Sequence, residues 1–134
     1  MGKNMVKLLC DASSSMYSNN VEFAECFEKS KIDEICDLIS KANIKLMELI
    51  KEKVELPKRI ECMSDVEIET GSALGGGHGL FVSPSTIKIN PYMSSIGILL
   101  NYIHENIHCI FPNASENLVE YLTELIAYQL KIPR

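Results

Sequence analysis

The sequence predicts an α+β domain, and three observations carry that expectation. Apolar residues recur at helical spacing between Val21 and Val54. The period shortens to two between Ile60 and Asn90, and helical spacing returns beyond Ser94. The expected order is an N-terminal helix or two, a small antiparallel sheet, a third helix and a C-terminal helix. All of it is read as one domain over 1–134, mainly helical over 1–56.

Taken in order, Met5–Cys10 has the composition of a short strand, and Ser13–Asn20 reads as loop. A short helix is expected around Val21–Glu28. The long helix after it carries Ile32, Ile35, Cys36, Ile39, Leu46, Met47 and Ile50 on one stripe, with Lys and Glu on the other face. Pro57 forbids its continuation. Ile60, Cys62, Val66 and Ile68 alternate with polar residues, as one or two strands would. Gly71–Gly79 reads as a glycine-rich loop containing His78. Leu80–Val82 and Thr86–Asn90 read as two strands joined around Ser83-Pro84-Ser85. Ser94 or Ser95 is placed to cap a helix that buries Ile96, Leu99, Leu100, Ile103, Ile107 and Ile110. Phe111-Pro112-Asn113 ends it. Ser115 is placed to cap a last helix with Leu118, Val119, Leu122, Ile126 and Leu130 inward.

Composition narrows the function classes. Of 134 residues, 46% are hydrophobic and 23% charged, enough apolar surface to fold around a core without staples. The formal charge is -5 and no stretch concentrates Lys and Arg, so no nucleic-acid partner is expected. No membrane span is expected either, and the N-terminal residues lack the apolar run of a signal peptide. The five cysteines, Cys10, Cys26, Cys36, Cys62 and Cys109, form no CxxC pair. Their odd number and wide spacing lead to the expectation of free thiols and an intracellular, cytoplasmic location.

The chemistry-bearing motif is His104-Glu105-Asn106-Ile107-His108, an HExxH inside the expected third helix. Residues four apart share a helix face, with about 5–6 Å between Cβ atoms, so two imidazoles there can converge on one ion. Glu105 flanks the pair and is the expected general base. A catalytic zinc takes three protein ligands and keeps one position open. Glu116, Glu120 and Glu124 on the last helix are the acidic candidates, and Cys109 is the sulfur candidate.

These residues resemble the gluzincin branch of the zinc metallopeptidases, in which a helix after HExxH supplies a glutamate ligand and, four residues later, a second acid. Val119-Glu120-Tyr121-Leu122-Thr123-Glu124-Leu125-Ile126 is similar to that segment. The longer stretch Ile96–Ala127 resembles small phage and bacterial zincins of the ImmA/IrrE type, through Ile103–Ile107, Phe111-Pro112 and Ser115-Glu116. The resemblance implies a zincin-like catalytic core over 57–134. It also implies Zn2+ as cofactor, a peptide or protein substrate, and hydrolysis of peptide bonds. It places the metal on His104, His108 and Glu120 and gives Glu124 the role of orienting a metal-bound histidine. The short connection after His108 makes Glu116 the alternative third ligand, ahead of Cys109. Asn106 departs from the pattern, since such motifs usually carry an aliphatic residue there.

Two further features enter as expectations. His78, in Gly75-Gly76-Gly77-His78-Gly79, is a candidate transition-state stabiliser carried on a loop. Thr86–Asn90 is the candidate edge strand for pairing with an extended substrate. Two rival functions stand beside the peptidase. One is a non-catalytic zinc-binding or regulatory protein on the same fold. The other is a magnesium site on Asp11, Ser13 and Ser15, whose DxSxS pattern resembles the adhesion site of von Willebrand A domains.

Overall fold

The computed structural model describes residues 5–6, 21–50, 56, 59–73, 79–83 and 86–132, with backbone alone at 5–6, 70–73 and 79–83. Nine elements follow in chain order: β1 (Met5–Val6), β2 (Glu22–Ala24), α1 (Lys29–Leu49), β3 (Arg59–Cys62), α2 (Asp65–Ala73), β4 (Gly79–Ser83), β5 (Thr86–Ile89), α3 (Ser95–Ile110) and α4 (Glu116–Gln129). The α+β expectation holds, with four helices among the described residues.

The expected antiparallel sheet is corrected. The five strands lie in the order β1-β2-β3-β5-β4, and the three central strands are parallel. Only the outer pairs, β1 with β2 and β4 with β5, run antiparallel. Parallel neighbours need a long connection, and α1 provides it between β2 and β3. The 21-residue helix is thus the crossover of a β–α–β unit. In register, Ile60 stands beside Ile87 and Cys62 beside Ile89, and all four side chains are buried.

Two segments take a different form from the one their pattern suggested. Val21–Glu28 contains the strand β2 rather than a short helix, and Phe23 is fully buried there. Val66 and Ile68 lie on helix α2, not on a strand, and Val66 is largely exposed. A capping box starts that helix: Ser64 Oγ accepts from Glu67 N at 3.1 Å, and Ser64 N donates to Glu67 Oε1 at 2.9 Å.

Helices α3 and α4 begin where their serines suggested. Ser94 Oγ accepts from Gly97 N and Ser115 Oγ from Leu118 N, satisfying N–H groups that a helix start leaves unpaired. One continuous core joins α1, the central strands, α3 and α4 through Ile32, Ile39, Ile60, Ile87, Ile103 and Val119. Helix α3 packs along α1, against β4 and β5, and against α4. Leu118, expected inward, is 45% exposed, while Val119, Ile126 and Ala127 are the buried apolar residues of α4. Among the described residues no helix is long and apolar enough to cross a membrane.

Polar groups pin α1 to α3 inside this core. Tyr102 Oη donates to Asn43 Oδ1 at 2.6 Å, and both residues are buried. Burial holds the phenol in its neutral, donating form by raising its pKa. Tyr102→Phe should therefore cost about 1–3 kcal/mol, because it strands the Asn43 carbonyl oxygen without its donor. Urea unfolding of the two proteins measures this, and a difference under about 0.5 kcal/mol would show that the pair contributes nothing net.

The expectation of five free thiols is also corrected. Cys26 and Cys62 form a disulfide, with Cα atoms 6.4 Å apart, and Cys36 is disulfide-bonded too. Cys109 is in no disulfide. Separation in sequence said nothing about separation in space: Cys26 lies in the turn just after β2 and Cys62 ends the adjacent parallel strand β3, which brings the two residues together.

Candidate metal centre

Helix α3 presents His104 and His108 on one face, four residues apart, while Ile98, Leu99, Tyr102, Ile103, Ile107 and Ile110 are buried in the core. The helix and its cap therefore fix the spacing of the two imidazoles before any ion is considered. Their Nε2 atoms lie 3.2 Å apart, and the rings meet edge to face at 4.8 Å between centroids. Their side chains retain 20% and 22% of their exposure, so the pair sits at the surface end of a buried helix.

Helix α4 closes the third side. The connection Phe111–Ser115 is only five residues, and Ser115 caps the helix immediately before Glu116. That brings the first residue of α4 across from the histidines. Glu116 Oε1 lies 2.8 Å from His108 Nε2, and Glu116 Oε2 lies 3.3 Å from His104 Nε2. His104, His108 and Glu116 each offer a ligand atom, all within 4.8 Å of one another, and this group can hold a metal ion. Glu116 is well exposed, so the carboxylate closes the group from its solvent side.

The electrostatics favour the unprotonated ligand. Burial lowers the pKa of His104, the neighbouring His108 lowers it further, and Glu116 opposes both. The neutral imidazole, with its Nε2 lone pair available, is the metal-binding form. The same shift fixes a pH dependence for the metal-free fold. With a folded pKa below the ordinary value of about 6.5, His104 binds protons more readily in the unfolded chain. The metal-free protein should hold its stability above about pH 7 and lose part of it as the pH falls through the His104 titration. Thermal unfolding after chelation, from pH 8 to 5, checks this against His104→Gln. An equal slope in the two proteins would assign the pH dependence to other groups.

The other predicted residues fall in different places. Glu105 is on α3 and buried, at 5% exposure, so only a small part of it meets solvent. Glu120 and Glu124 are exposed on α4 and line a depression of about 280 Å³ with Leu100, Asn101, His104 and Thr123. Glu120, expected as the third ligand, is thus beside His104 but outside the three-residue group, which takes Glu116 instead. One turn of helix, about 5.4 Å, separates the two glutamates along α4. Cys109, the sulfur candidate, is half-buried, and burial raises its pKa, which disfavours the thiolate a metal needs. Asn106 is fully buried, with its Nδ2 donating to the Tyr102 carbonyl oxygen at 2.7 Å. His78 and the Asp11, Ser13 and Ser15 group lie outside the described residues.

The candidate edge strand also moves by one position. β5, which contains Thr86–Ile89, is paired on both sides, and β4 is the outer strand beside it. β4 is also a strand against which α3 packs, so a sheet edge and the histidine-bearing helix are neighbours.

Comparison with protein-family models, with curated proteins and with solved structures finds no match.

Proposed function

We propose that this protein is a zinc-dependent metallopeptidase, with His104, His108 and Glu116 as the metal ligands and Glu105 as general base. The observation that carries the reading is the spacing of the three ligand atoms. Four donors at about 2.0–2.1 Å around a tetrahedral ion stand roughly 3.3 Å from one another. The two Nε2 atoms stand 3.2 Å apart, close to that edge length, and the Glu116 carboxylate spans both, with Oε2 3.3 Å from His104 Nε2 and Oε1 2.8 Å from His108 Nε2. Two imidazoles and one carboxylate are a donor set that zinc accepts, and three ligands leave the fourth position for the reaction.

Zinc bound there supplies Lewis acidity, which activates water and polarises a substrate carbonyl. The remaining work falls to the chain. Glu105 precedes His108 on the same helix and accepts a proton from the attacking water, then passes it to the departing amine. Its burial keeps bulk water from competing for that proton. Glu120 and Glu124, outside the ligand set, line the depression beside His104. The edge of β4 offers backbone N–H and C=O groups next to α3, where an extended peptide can add as a further strand.

The ligand assignment has its own test. Glu116→Gln should weaken zinc binding more than the 10–100-fold typical of residues behind the ligands, and Glu120→Gln should stay within or below that range. Competition against a chromophoric chelator ranks the two, and the reverse order would restore Glu120 as the third ligand. For the activity itself, zinc-loaded protein incubated with a diverse peptide pool should generate new termini detectable by mass spectrometry, and a chelator should suppress them. Absence of cleavage by metal-loaded protein across a broad pool would favour the non-catalytic zinc protein.

A further inference from the structure

We infer that the Cys26–Cys62 disulfide is a thiol-exchange site, attacked at Cys26 and selective for neutral or cationic small thiols. It lies in a cleft of about 500 Å³ formed where three connections meet at one end of the parallel strands: β2 to α1, β3 to α2 and β5 to α3. Glu25, Cys26, Cys62, Asp65 and Tyr92 are among its lining residues. The two residues are unequally placed. Cys26 is an exposed residue on the β2–α1 turn, whereas Cys62 is buried at the end of β3, at 5% exposure.

That asymmetry fixes the direction of exchange. An incoming thiolate reaches Cys26 Sγ through the cleft and forms a bond to it. The Cys26–Cys62 bond breaks, and its electron pair leaves on Cys62 Sγ, which then takes a proton from water. A second thiol attacks the small-molecule sulfur of the mixed disulfide. This releases the oxidised disulfide of the reductant and leaves Cys26 as a thiol. Two small thiols are oxidised and one protein disulfide is reduced.

The lining sets the preference among thiols. Glu25 and Asp65 are exposed carboxylates at the cleft, and no Arg or Lys is among the described residues that line it. An anionic thiol such as mercaptoacetate is repelled there, and a cationic one such as cysteamine is attracted. Exposed charges act over a Debye length, about 10 Å at 0.1 M salt.

The test treats the folded, oxidised protein with each thiol, quenches with an alkylating reagent and maps the cysteines by mass spectrometry. The cysteamine adduct should sit on Cys26 and the alkyl group on Cys62. At low salt, with each rate divided by that thiol's rate on a small uncharged disulfide to remove intrinsic nucleophilicity, cysteamine should be favoured over mercaptoacetate by roughly threefold or more, the scale expected of exposed charge pairs. The ratio should shrink in 1 M salt and in Glu25→Gln. Circular dichroism before and after the reaction shows whether exchange occurred on the folded chain. Equal labelling of both sulfurs, reaction only after unfolding, or free thiols at both positions in protein alkylated at lysis would each overturn the proposal. A charge-independent rate would overturn its selectivity.

Discussion

His104→Ala and His108→Ala should each abolish stoichiometric zinc binding while leaving the fold in place. Two ligands do not make a tight zinc site, so the loss should exceed the 10–100-fold seen when a residue behind the ligands is changed. The fold should survive because neither imidazole belongs to the buried core: the apolar contacts of α3 are made by Ile98, Leu99, Ile103 and Ile107. Alanine is also the best helix former, so the helix loses nothing in propensity. Metal analysis after dialysis, together with circular dichroism, reads both halves of this expectation. Full zinc retention in both variants would place the metal elsewhere on the chain.

Glu105→Gln is expected to separate catalysis from binding. Gln has nearly the shape of Glu but cannot take a proton, and position 105 lies outside the three-residue ligand group. Zinc affinity and secondary structure should therefore be kept. Turnover of a cleaved peptide should fall by about 10²–10⁴-fold, the usual contribution of general acid–base catalysis. The position is buried, and Gln keeps the volume of the side chain there. A cleavage rate unchanged by Glu105→Gln would assign the activity to another mechanism or to a contaminant. A loss of zinc in the same variant would instead make Glu105 part of the metal's surroundings.

Much of the site-bearing half was legible because its signals are local. Ser94 and Ser115 mark the starts of α3 and α4 through their own hydrogen bonds, and the i,i+4 histidines need only a helix to share a face. Direction of strand pairing is not local. Ile60 with Cys62, and Ile87 with Ile89, show the same alternation in a parallel or an antiparallel pair; only the long connection between β3 and β5, which includes α2 and β4, distinguishes the two. β2 is three residues long, too short to show a period. The missed helix α2 did carry a readable signal, the Ser64-x-x-Glu67 capping box, which the alternation of Val66 and Ile68 masked.

The third ligand and the cysteines illustrate a different limit. The family resemblance aligned Glu120 by its helix pattern, but a five-residue connection after α3 leaves the first turn of α4, and hence Glu116, facing the histidines. The resemblance points to Glu120, whereas the three-residue group contains the alternative, Glu116, at the start of the same helix. The cysteine argument relied on count and spacing, whereas a disulfide depends on Cα separation in the fold, here 6.4 Å between residues 36 positions apart. With Cys26 paired to Cys62, free thiols no longer support the cytoplasmic expectation.

X-ray absorption spectroscopy of the zinc-loaded wild-type protein, with metal content measured on the same sample, tests the central claim most directly. The account predicts about one zinc per chain, a first shell of nitrogen and oxygen near 2.0–2.1 Å, imidazole scattering from two histidines, and no sulfur. No retained zinc, or a sulfur scatterer at about 2.3 Å marking Cys109 or another thiolate as a ligand, would contradict it.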